Sequence, residues 1–92
     1  MIDTTEHKLT THEIADLTGF EHKTVLERAG EALLSANIDP NGYWLTLDYY
    51  IPPLKVLFLP KALVEIVLND GWYGDKAKRE VMDVFATWEF WD

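Results

Sequence analysis

His22, Lys23, Thr24, Glu27 and Arg28 gather polar chemistry of one kind inside the stretch "LTTHEIADLTGFEHKTVLERAG" at residues 9–30. On the first turns of a helix, Lys23, Thr24 and Arg28 suit phosphate oxygens or base edges, and a glutamate can accept from the amino group of cytosine. Lys55 follows Pro52 and Pro53, where the tip of a β-hairpin would meet a phosphate. Each has a plainer reading. The helix residues make an ordinary solvated face with Glu27, Arg28 and Glu31 in local ion pairs, and Lys55 is an edge-strand lysine. Lys76-Ala77-Lys78-Arg79 is the one basic cluster. In the first turn of a helix its charge opposes the helix dipole, which points to an anionic partner.

Other chemistries have less support. His7, His12 and His22 share no metal-ligand spacing with acids on one helix face. His12 and His22 fall near helix starts, where histidine is more often a polar cap. There is no cysteine, Ser35 is the only serine, and no glycine-rich loop is present. Neither a nucleophile–base pair nor a phosphate cradle follows, so no catalytic residue, metal or cofactor is expected.

The elements that would position these residues can be read from caps and periodicity. Thr10 and Glu13 have the spacing of a capping box, Ile14, Ala15 and Leu17 make an apolar stripe, and Gly19 stops the helix. This predicts a first helix over about 11–18. Val25, Leu26, Ala29 and Leu33 continue at helical spacing from His22, with Asn37 closing the second helix. Ala15, Gly19 and Val25 together carry the spacing of a helix–turn–helix, with Ile14 and Phe20 filling the space between the helices. "YWLTLDYYI" (43–51) and "LKVLFL" (54–59) predict two strands around Pro52-Pro53, a β-hairpin. Trp44 and Tyr50 fall on its outer face. Pro60 opens a third helix carrying Leu63, Val64, Val67 and Leu68, which Gly71 ends. Asp75 caps a last helix with Val81, Val84, Phe85, Trp88 and Trp91 in register. Phe85, Trp88 and Trp91 form a stripe suited to core or to an interface, and the apolar end "TWEFWD" favours a homodimer through it.

The order helix, helix, hairpin, helix, helix predicts an α+β fold, mainly helical, of the winged helix–turn–helix plan. One such domain accounts for residues 1–92. Hydrophobic residues make up 48% of the chain, with four Trp, four Tyr and four Phe, enough to close one core. No apolar run reaches the roughly 18–20 residues that span a bilayer, and "MIDTTEHK" is unlike a signal peptide. The expectation is a soluble intracellular protein with no membrane partner. The net charge of −8 is spread along the chain rather than gathered in a tail.

His22-Lys-Thr-Val25-Leu26, an aromatic strand, "FLPKALVEIVLNDGW" (58–72) and "KAKREVMDVFATWE" (76–89) resemble, in that order, the N-terminal domain of the Rha family of phage regulatory proteins. The resemblance spans about residues 9–89. It implies a phage or prophage origin, action in the bacterial host cytosol, and a DNA-binding or antirepressor role. Two departures stand out: Glu21, Glu27 and Glu31 on the reading helix, and Ala29 where a larger aliphatic residue is expected.

Two functions follow from these residues. One is a DNA-binding transcription regulator or antirepressor, with contacts at His22, Lys23, Thr24, Glu27, Arg28 and Lys55. The other is an acidic phage-encoded inhibitor, of antirepressor or anti-CRISPR type, that occupies a basic nucleic-acid-binding protein by charge complementarity.

Overall fold

A computed structural model describes residues 7–70 and 72–91, with backbone alone for 89–91. The chain runs β1 (Lys8–Thr10), α1 (Thr11–Thr18), α2 (His22–Ser35), a 3-10 turn (Pro40–Tyr43), β2 (Trp44–Leu47), β3 (Leu54–Pro60), α3 (Lys61–Leu68) and α4 (Gly74–Trp91). The fold is α+β and mainly helical, with a small antiparallel sheet in the order β1-β3-β2.

The first two helices form where the caps place them. Thr10 Oγ1 accepts from the Glu13 amide at 3.0 Å, and Glu13 Oε1 accepts from the Thr10 amide at 2.9 Å. Gly19 adopts φ +80°, and its amide donates to the Ala15 carbonyl at 2.8 Å. A side chain resists this left-handed conformation, so glycine lets the chain reverse within three residues. Ala15 and Ile14 of α1 then pack on Val25, Ala29 and Leu33 of α2, all in the main core. Asn37 ends α2 at φ 63°. Its amide donates to Leu34 O, and the Ile38 amide donates to Leu33 O, the paired bonds of a Schellman motif.

The sheet differs from expectation in two ways. β1 is an extra strand. It pairs with β3 in the register Leu9↔Leu59 and Thr10↔Phe58, so the chain before α1 is tied to the hairpin. β2 ends at Leu47, well short of Ile51. Asp48 and Tyr49 turn the chain, and the Tyr50 amide donates back to Leu47 O at 3.4 Å. Pro52 and Pro53 have no N–H with which to extend the ladder. Residues 48–53 are therefore a loop, not strand, with Tyr49 77% and Ile51 97% exposed.

The C-terminal helices close the core. β3 runs directly into α3 with Pro60 as the N-cap, and α3 stops at Leu68 with Asn69 at its C-cap. The expected stop at Gly71 lies outside the described residues. α4 begins at Gly74, whose φ of +81° turns the chain into the helix. Asp75 is consequently a first-turn residue rather than the cap. Val81 and Phe85 complete the core against α1 and α3.

Candidate nucleic-acid interface

The start of α2 is held by a polar chain through the sheet. The Leu57 amide donates to Thr11 Oγ1 at 3.2 Å, and Thr11 Oγ1 lies 3.0 Å from His22 Nε2. Thr11 is fully buried. Its hydroxyl accepts from Leu57 and keeps both its proton and a second lone pair for His22, so the direction of that bond follows the imidazole tautomer. Burial pushes the His22 pKa down, the neighbouring His12 adds to the shift, and Asp16 opposes it. His22 thus links α2 to α1 and β3, and its ring nitrogen is already engaged.

His12 gathers a second set of rings. Its ring centre lies 5.5 Å from that of His22 and 5.5 Å from that of Tyr50, and its Nδ1 is 3.6 Å from Asp16. Tyr50 in turn stacks beside Tyr49 at 4.9 Å. The hairpin loop is therefore anchored against α1 next to the first residue of α2.

The remaining candidates divide between solvent and structure. Lys23 and Glu27 are exposed and Thr24 is half-buried. Arg28 lies on another side of α2. Its guanidinium sits 4.9 Å above the Trp72 ring and 3.7 Å from Asp70, fastening α2 to the segment between α3 and α4. Trp72 also packs on Phe20 at 4.6 Å. Lys55 is exposed on β3, with Nζ 5.6 Å from the centre of the Trp44 ring across the hairpin. Glu27 of α2 and Trp44, which carries Lys55 over its ring, border one surface depression, and Lys23 precedes Glu27 by one turn of α2; Thr24 precedes Arg28 by one turn, and His22 and Arg28 are engaged by other parts of the chain.

Phe85 corrects the interface expectation. It is 2% exposed and belongs to the core, so it is not available to another chain. Trp88 is half-buried, edge-on to Phe85 at 5.3 Å and stacked on His7 at 4.8 Å. The side chain of Trp91 lies outside the described residues. In the basic cluster, Lys76 and Arg79 are exposed, Lys78 is half-buried and Ala77 is buried.

Sequence reasoning missed Thr11, Asp70 and Trp72. Nothing local marks them, because their partners are far along the chain. Tyr73 was also unremarked. It is buried, and burial together with Asp70 pushes its phenol up to about 12, against the opposing Arg28. Among the described residues, no group of three or more His, Asp or Glu could hold a metal ion, and no helix is long and apolar enough to cross a membrane. No family model, curated protein or solved structure matches the chain.

Proposed function

We propose that this protein is a winged helix–turn–helix regulator of phage type that binds DNA, as a transcription regulator or antirepressor. One observation carries the reading: β1, ahead of the helix pair, pairs with the far strand of the hairpin that follows it. That pairing ties the hairpin to the strand that leads into the helix pair, which supports a wing held near the second helix, the arrangement needed for a helix and a hairpin to meet one duplex together. The resemblance to the Rha family supports the same reading. Lys23 and Thr24 on α2 and Lys55 on the hairpin are the contacts to phosphate or base, with the exposed loop tip at Tyr49 and Ile51 beside them.

The charge sets the expected strength. Arg28 is drawn to Asp70, which leaves Lys23 and Lys55 as the cations of this face. Two phosphate contacts give a log–log salt slope of about −2, so affinity falls roughly tenfold or more between 50 and 200 mM salt. The test is an electrophoretic shift with mixed genomic DNA fragments at low and at moderate salt. The expected result is a shift at low salt that fades at moderate salt and is lost with Lys23→Glu. No shift at low salt, or one unchanged by both Lys23→Glu and Lys55→Glu, refutes the reading.

A second reading rests on the same withdrawal of Arg28, together with sixteen acids against eight bases. It makes the chain an acidic inhibitor that occupies a basic nucleic-acid-binding protein. Capture of such a protein by a chain that fails to shift DNA favours it. A homodimer would have to use Trp88 without Phe85, and sedimentation tests this directly.

A further inference from the structure

We infer that the groove between α2 and the edge strand β2 docks a cationic amphipathic helix of a partner protein. Leu26, Gly30 and Leu34 form its floor, Trp44 its far wall, and Glu27 and Glu31 its rim. It is a shallow, open depression of about 580 Å³. Its apolar groups are left to solvent: Leu34 is 61% and Trp44 42% exposed. Among the described residues, β2 pairs with β3 alone, so its other edge is uncovered.

Gly30 indicates how the groove is used. Glycine within a helix weakens it relative to alanine, so the position calls for a reason. The fold offers none, because a Cβ at Gly30 would meet nothing within 4 Å. The gap opens outward, between Leu26 and Leu34, where a partner's bulky side chain can approach the α2 backbone. Residues four apart on α2 succeed one another every ~6 Å along its axis. Apolar residues four apart on a second helix repeat at the same distance, so a helix laid along α2 matches the floor over two turns.

The rim selects the charge of that helix. Neither Glu27 nor Glu31 has an ion-pair partner among the described residues, and Arg28 is turned away to Asp70. Lys23 lies one turn before Glu27 and Lys55 over the Trp44 ring, and neither lines the groove. A second copy of this chain is the wrong occupant, because a two-fold contact through this groove brings Glu27 and Glu31 against the same carboxylates. The site does not depend on nucleic-acid binding.

The test uses the isotope-labelled full chain and a helical peptide of ~18 residues, about five turns. The peptide carries leucines four apart flanked by lysines, and a counterpart carries glutamate at every lysine. The expected result is saturable movement of the backbone amide signals of residues 26–34 and 44–47 with the cationic peptide and none with the counterpart. Gly30→Leu, whose added Cβ meets nothing of the fold within 4 Å, weakens binding roughly tenfold or more while the thermal midpoint stays at or above that of the parent. Glu27→Lys with Glu31→Lys does the same, and Glu65→Lys on α3 leaves binding unchanged. Equal binding of both peptides, signal changes spread over the whole acidic surface, an equal effect of Glu65→Lys, or a dimer of the free chain that Gly30→Leu dissociates would each overturn the inference.

Discussion

Replacing Thr11 by valine removes one buried oxygen that two elements share. The Leu57 amide loses its acceptor at 3.2 Å, and His22 Nε2 loses its neighbour at 3.0 Å. A buried N–H left without a partner costs about 1–3 kcal/mol, and a lost hydrogen bond about 0.5–1.5 kcal/mol. His22 is only half-buried and water can replace its partner, so the second figure is taken at its low end. The sum is about 1.5–3.5 kcal/mol, which in a domain of this size lowers the thermal midpoint by roughly 6–28 °C. Thr11→Ser keeps the oxygen and loses only a methyl group, for about 1 kcal/mol. Urea unfolding with an unchanged m-value measures both. A valine variant within about 0.5 kcal/mol of the parent, or a serine variant as costly as valine, would refute the reasoning.

His22 predicts a pH dependence through the same bond. Its folded pKa lies below the ordinary 6.5, chiefly through burial. The unfolded chain therefore binds the proton first, and stability, full above about 6.5, declines as the pH falls below it toward the folded value. His22→Asn should flatten that decline between about pH 7 and 5; an unchanged profile would show that other groups carry it. Gly19→Ala should cost about 1 kcal/mol by calorimetry, because the strain lies in a φ of +80° and no atom stands within 4 Å of the added carbon. Gly30→Ala meets equally open space at an ordinary helical φ, so it should stabilise the chain by about 0.5–1 kcal/mol in urea. Tyr73→Phe should be neutral or stabilising by up to ~1 kcal/mol, since the buried hydroxyl has no hydrogen-bond partner among the described residues. A loss of that size on heating would reveal a partner for it.

What could be read from the residues was whatever is decided within one or two turns of chain. The Thr10–Glu13 box, the left-handed Gly19, the Val25–Ala29–Leu33 stripe and the Asn37 terminus are local devices, and each lies where spacing put it. β1 could not be read this way. Three residues have no period, and Lys8–Thr10 is a strand only because β3 lies beside it. β2 was overrun because aromatic residues favour strand whether or not a ladder partner exists, and Pro52 and Pro53 cannot supply one. The candidate site divides in the same manner. Lys23 and Glu27 face solvent as helix phase predicts. Arg28 is claimed by Asp70 and Trp72 across the fold, and Phe85 lies in a core whose other walls come from distant elements. Helix phase tells which residues share a face, but not what the rest of the chain lays against it.

Two residues each finish a strand and begin a helix. Thr10 closes β1 and caps α1, and Pro60 closes β3 and caps α3. Neither junction has slack. One residue inserted there would turn the following helix by about 100° and swing Ile14 or Val64 out to solvent. The hairpin tip at 48–53 carries no such constraint, since it lies beyond the last paired residues, Leu47 and Leu54. Chain length can therefore vary at this hairpin tip and hardly at all at the two welds, and a reporter or peptide epitope spliced beside Ile51 has the same freedom.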